Sequence, residues 1–172
     1  MMRSRPRRII TAILAACAVD ACGYHLQGAT ELPDVMSVTL IDAPDPHTDF
    51  VRGLNRSLAD NGVQVTQDLD AATAVLIVHH DLFGERILTV SAENEPLEYE
   101  LFHTVSYELR VDGKAVLPME TLTRRRNYTY SRTDILGKRQ EGQILREAIA
   151  DDLVRTITRR LATLGPARLE PG

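Results

Sequence analysis

Two groups of residues in this sequence have types and spacings suited to chemistry. The first is Thr123 to Arg132, TRRRNYTYSR. If this stretch is a strand, alternation places Arg124, Arg126, Tyr128, Tyr130 and Arg132 on one face and Arg125 and Asn127 on the other. Arginine forks bind phosphate in a bidentate manner, and tyrosine rings can line a sugar or acyl region. Such a stripe therefore suits a phosphorylated, partly apolar ligand. Lys138 and Arg139 follow in what reads as a loop. The same pattern also describes a solvated edge strand whose charges keep it from pairing. The second group is the cysteine pair Cys17 and Cys22, the only cysteines in the chain.

Other arrangements exclude chemistry. There is no G-x-S-x-G, no H-E-x-x-H, no Walker loop and no glycine-rich dinucleotide turn, so neither an enzyme nor a cofactor site is expected. His79, His80 and Asp81 are consecutive, and neighbours on a strand point to opposite faces. His79 and Asp81 then share a face, but two ligands do not make a zinc site. His25, His47 and His103 have no evident partners in the sequence.

The cysteines sit at the end of an export signal. Met1 to Arg8 is basic, and Ile9 to Val19 is an uncharged apolar run of 11 residues. That run is too short to span a bilayer as a helix, which needs about 20 residues. A basic start, a short apolar run and small residues mark a secretory segment. A cysteine just beyond small residues further suggests a lipoprotein signal, in which the thiol is acylated and the chain is cut before it. Several acyl chains then hold the protein firmly at a membrane. Leu14-Ala15-Ala16-Cys17 fits the local pattern better, because Asp20 stands near the alternative cut before Cys22. Cys17, however, leaves only Ile9 to Ala16 as the apolar run.

The remaining chain is one domain's worth of sequence. Of 172 residues, 44% are hydrophobic and 26% charged, which is globular in composition. Residues 1–21 hold four arginines and one aspartate. Removing them from totals of 20 basic and 24 acidic residues leaves a net charge of −7. An acidic body argues against general nucleic-acid binding. With no cysteine left to form a disulfide, the exported domain must be held by its core.

The elements that must position the basic stripe are legible in outline. Val35 to Asp42 alternates, with Met36, Val38 and Leu40 on one face. Asp45 and Pro46 look like a cap and first position for a helix over Pro46 to Asp60, stopped at Asn61-Gly62. Val63 to Thr66 is a short strand and Ala74 to His80 a buried one, with Gly84 marking a bend before Ile87 to Val90. Leu97 to Val111 is the clearest strand. Its odd-numbered positions, including Leu101, His103, Val105 and Tyr107, are predicted to share one face. Asp112-Gly113 predicts a hairpin turn. A strand near Thr121 to Arg132 follows, then a helix over Glu141 to Leu164. Leu145, Ala148, Ile149, Leu153, Ile157, Leu161 and Leu164 form its apolar stripe. The expected fold is α+β: a two-layer sandwich of a mixed, mainly antiparallel sheet with both helices on one face. The expected organisation is a signal over 1–21, one domain over 22–164 and a flexible tail over 165–172.

Cys22-Gly23-Tyr24-His25-Leu26-Gln27-Gly28 resembles the mature start of the LptE family of lipopolysaccharide-assembly lipoproteins. The likeness continues through Glu31-Leu32-Pro33, Leu40-Ile41-Asp42, Asp45-Pro46, Leu58-Ala59-Asp60-Asn61-Gly62-Val63 and Glu98-Tyr99-Glu100-Leu101, covering Cys22 to Leu164. Gln27 stands where the family usually has arginine, and Asp20 departs from the usual signal. The resemblance favours Cys22 as the lipidated residue, with Cys17 as the alternative. It implies a plug inside an LptD-like outer-membrane β-barrel that helps the barrel assemble and binds lipopolysaccharide. Lys138 matches a basic family residue in that contact. Arg124 and Arg126 are added to it from charge and alternation. Neither Gly23 nor Ala18 is the aspartate that retains lipoproteins in the inner membrane. The implied location is therefore the outer membrane, lipid-anchored, with the domain in the barrel lumen or on the periplasmic side. A pilotin-like adaptor for an outer-membrane channel is the alternative reading.

Overall fold

The computed structural model describes residues 31–129 and 135–164, the side chains of 135–139 excepted. The signal-like segment, Cys17, Cys22, the motif through Gly28, Tyr130, Arg132 and the tail lie outside the described residues. Five strands form one sheet: β1 (Val38–Asp42), β2 (Gln64–Thr66), β3 (Ala74–Val90), β4 (Pro96–Val111) and β5 (Lys114–Thr129). Their spatial order is β2-β1-β3-β4-β5. The pairs of β1 with β2 and β3 are parallel, and the two long pairs are antiparallel. Helices α1 (Asp49–Asp60) and α2 (Ile135–Ala162) pack on one another and on the sheet. This is the α+β sandwich expected from the sequence.

The core lies between sheet and helices. Phe50, Leu54 and Leu58 of α1 and Ile149, Leu153, Ile157 and Leu161 of α2 are fully buried there. They meet Leu76, Leu101, Val105, Tyr107, Leu109 and Leu117 from the strands. The odd-numbered residues of β4 supply this floor, as their period of two requires. On α2, Ala148 is exposed, and Ala150 and Val154 join the buried stripe instead.

Several local features differ from the sequence expectation. The expected first strand begins with a turn of 3-10 helix, Asp34–Met36, and the pleat buries Thr39 rather than Val38 and Leu40. Thr39 is tolerated inside because its hydroxyl donates to the Met36 carbonyl at 2.7 Å. Helix α1 starts at Asp49, not Pro46. Thr48 is its cap and accepts from the Val51 amide at 3.1 Å, whereas Asp45 closes a local turn onto the His47 amide. The stretch from Ala74 to Val90 is one strand, unbroken at Gly84. Its register shifts fall at His79, at Leu88 and between Thr89 and Val90. Asp112 and Gly113 both have positive φ, the conformation the tight β4–β5 turn demands. Helix α2 begins at Ile135, six residues before the expected start, so Lys138 lies within the helix rather than in a loop.

Candidate functional site

The basic stripe is built as alternation predicts, but its members have different loads. Arg124, Arg126 and Tyr128 lie opposite His103, Leu101 and Tyr99 of β4, on the helix side of the sheet. Arg124 is half-buried and bound to α2. Its Nε donates to Asp152 Oδ2 at 2.7 Å and its Nη2 to Thr156 Oγ1 at 3.0 Å. The hydrogen bond from Arg124 outweighs partial desolvation and holds the Asp152 carboxyl below the usual aspartate range. Arg126 is exposed, and among the described residues its guanidinium donates only to the neighbouring Arg125 carbonyl at 3.1 Å. Arg125 points to the opposite face, 3.8 Å from Glu100, as alternation requires.

Tyr128 stacks on Tyr99 with 5.5 Å between ring centroids and donates to Glu85 Oε2 at 3.1 Å. Burial, then the Glu85 charge and hydrogen bond, push its phenol up to about 12. Beside it opens a cleft of about 700 Å³ between the start of α1, the long strands and the first half of α2. Arg146 roofs the cleft, its guanidinium 4.5 Å above the Phe83 ring and 3.4 Å from Asp49. The cleft wall mixes Asp49, Glu85 and Glu147 with Arg52 and Arg146. Its charges largely satisfy one another: Asp49 pairs with both Arg52 and Arg146, and Glu85 accepts from Tyr128.

The histidines behave differently from the sequence expectation. The shift at His79 turns the strand over, so His79 and Asp81 end on opposite faces. His79 stands 3.4 Å from Glu108 on the open side. Asp81 enters the core side and meets His103, which the sequence left without a partner. His103 Nε2 lies 2.5 Å from Asp81 Oδ1, and the Thr48 hydroxyl donates to Asp81 Oδ2 at 2.6 Å. His103 is wedged edge-on against Phe50 and Phe83, and its buried Nδ1 has no hydrogen-bond partner among the described residues. Burial alone would raise the Asp81 carboxyl. The hydrogen bonds from His103 and Thr48, with the charges of His103 and His80, bring it below its usual value. Asp81 and His103 lie on strands joined by a long hairpin, and no sequence signal links them. No group of three or more histidine, cysteine, aspartate or glutamate side chains fit to hold a metal occurs among the described residues.

The open face of the sheet carries paired hydroxyls and charges. Thr104 pairs with Thr123 at 2.9 Å and Ser106 with Thr121 at 2.8 Å. Arg86 makes a close ion pair with Glu100 at 2.7 Å.

Comparison with known proteins gives a consistent result. The model of the LptE family, described as lipopolysaccharide-assembly, matches residues 35–161. The LPS-assembly lipoprotein LptE of Photorhabdus laumondii is 24% identical over 159 residues, 91% of this chain and 87% of that protein. The LPS-assembly lipoprotein LptE of Yersinia pestis is 23% identical over 168 residues, 95% of this chain and 80% of its own length. Among solved structures, a lipoprotein B from Nitrosomonas europaea superposes with a TM-score of 0.71 at 23% identity, covering 86% of this chain and 95% of that one. A minor lipoprotein from Acinetobacter baumannii gives 0.62 at 26% identity, with 76% and 93% covered.

Proposed function

This chain belongs to the LptE lipopolysaccharide-assembly family, and from that premise we propose that it is the lipid-anchored plug of an LptD-like outer-membrane β-barrel. The family consists of non-enzymatic assembly lipoproteins. In this reading the domain is tethered through Cys22, with Cys17 as the alternative. It sits in or beneath the barrel lumen, helps the barrel assemble and binds lipopolysaccharide on its way to the outer leaflet.

The observation that carries the reading is the family match over residues 35–161, together with a fold that superposes on solved lipoproteins along most of its length. Physical features support it. A plug needs a rigid body, and the core between sheet and helices supplies one. A plug in a hydrated lumen needs a polar exterior, and the open sheet face is furnished with hydroxyls and ion pairs rather than with a continuous apolar surface.

Lipid A is phosphorylated, so its contact needs cations. Arg126, exposed and held by no carboxylate among the described residues, and Lys138, the position that matches a basic family residue, take that role. Arg124 braces the same stripe through Asp152 and reaches a ligand only by giving up that pair. Replacing Arg126 and Lys138 together by glutamate should weaken lipopolysaccharide binding by about tenfold or more, since each loses a charge-assisted contact. Equilibrium binding of the purified lipoprotein to labelled lipopolysaccharide measures this. Undiminished binding would remove those residues from the contact. No binding by the unaltered protein would favour the adaptor reading.

A further inference from the structure

Strand β3 has an outer edge that the sheet does not cover. Its partner β1 pairs with Ala74 to Ile77 only, and among the described residues no strand lies beside β3 from Val78 to Val90. Between the shifts at His79 and Leu88, the strand runs in regular register from His80 to Ile87 against Ser106 to Tyr99. Every second residue there directs its amide and carbonyl away from β4, toward the uncovered side. Unpaired backbone groups of this kind are a template for another strand.

The other long edge, β5, is blunted in ways that β3 is not. Pro118 sits in a register irregularity between Leu117 and Glu120, and Lys114, Arg124, Arg125 and Arg126 charge the strand. Proline, bulges and cations are the usual protections of an edge. The regular stretch of β3 has no proline or lysine, and its single arginine, Arg86, is paired with Glu100. Instead it exposes the apolar side chains of Leu82 (45%) and Ile87 (52%), and the strand end beyond it exposes Leu88 (41%) and Val90 (49%). Leu97, across the hairpin end, is 43% exposed. Free backbone and exposed apolar side chains thus occur on the same strand, with Leu82 on the open face and Ile87 on the helix side.

We propose that the outer edge of β3, from His80 to Val90, is extended in the assembled protein by a strand from the partner protein, which adds itself to the sheet. This rests on the reading that the chain works bound to an outer-membrane barrel, and it names the surface engaged. Main-chain hydrogen bonds supply the affinity and alternate side chains the specificity. Charge selects the occupant. Glu85 lies within this strand, Glu93 in the turn that follows it and Glu98 opposite Thr89 on β4. A second copy would set these acids against their own kind, and an anionic lipid surface would be repelled by them. A neutral or basic polypeptide strand with apolar alternation fits both features.

The test uses the complex purified from outer membranes, with a photo-cross-linking residue at Leu82, at Leu88 or, as a control, at Met119 on β5. Amide-resolved hydrogen exchange on the same complex reports the backbone. The expected result is cross-links to the barrel from positions 82 and 88 but not 119, and slow exchange at every amide from His80 to Ile87. A barrel present while alternate amides of that stretch exchange freely would overturn the strand addition and leave the plug reading standing. Cross-links joining two copies of this chain would overturn it in favour of self-association. If no barrel is present in the purified material, both readings fall.

Discussion

Asp81 and His103 meet at 2.5 Å across the β3–β4 pair, each with less than a tenth of its side chain exposed, and Thr48 at the start of α1 joins them from above. They are diagonal neighbours, since Asp81 stands directly opposite Val105. One carboxylate therefore ties two strands and a helix start together under the cleft.

Removing that carboxylate should loosen all three elements. Asp81→Asn is expected to cost about 1–3 kcal/mol, the penalty of leaving a buried partner imperfectly paired. The effect is read from urea unfolding with an unchanged slope. Because the folded carboxyl lies below its unfolded value, its stabilisation is complete above the ordinary aspartate pKa. It fades as the pH falls through the depressed folded value. The Asn variant should lack this part of the acid limb, so the gap between it and the parent narrows at low pH.

Thr48 both caps α1 and holds Asp81. Thr48→Ala should cost about 1–2 kcal/mol, the upper part of the usual range for a lost cap. Thr48→Ser keeps an oxygen in place and should recover most of it. Equal losses from the two variants would mean that the methyl group, not the hydroxyl, matters.

Gly84 faces Phe102 on the open side of the sheet, and a β-carbon there would come within 2.3 Å of the ring. Gly84→Ala must displace that ring and should cost about 1–2 kcal/mol through overpacking. The ring is half-buried, so Phe102→Leu in the same chain should relieve most of the loss. A double-mutant cycle in thermal unfolding measures the coupling. Additive losses would contradict the contact.

Arg124 and Arg126 differ in what they hold, and substitution should show it. Arg124→Ala breaks the pair with Asp152 and should lower stability by about 1 kcal/mol or less, because the pair is partly screened by solvent. Arg126→Ala should leave the unfolding midpoint unchanged and weaken lipopolysaccharide binding instead. A matched set of unfolding curves and binding isotherms separates the two. The reverse pattern would exchange their roles.

Much of the fold is legible because strong periodicity speaks locally. The alternation through β4 and the Asp112-Gly113 turn specify the central hairpin, and the α2 stripe specifies the covering helix. What the sequence conceals depends on single-residue register. The bulge at His79 reverses the faces of His80 to Ile87 in β3, and no residue type announces it. That reversal carries Asp81 inward to His103 and away from His79. Helix α1 starts later than Asp45-Pro46 suggests because Asp45, though a good cap, accepts from the His47 amide and leaves Thr48 to begin the helix. The basic stripe was legible as a face. Its division into a committed Arg124 and an uncommitted Arg126 depends on where α2 puts Asp152, which only the fold reveals.

The central claim is that this lipoprotein acts as the plug of a barrel. Its most direct test is to isolate the tagged chain from solubilised outer membranes and identify what accompanies it by mass spectrometry, together with the acylated N-terminal peptide. The expected result is a large LptD-like barrel in near one-to-one ratio and acylation at Cys22. A lipidated chain that brings down no such barrel would contradict it.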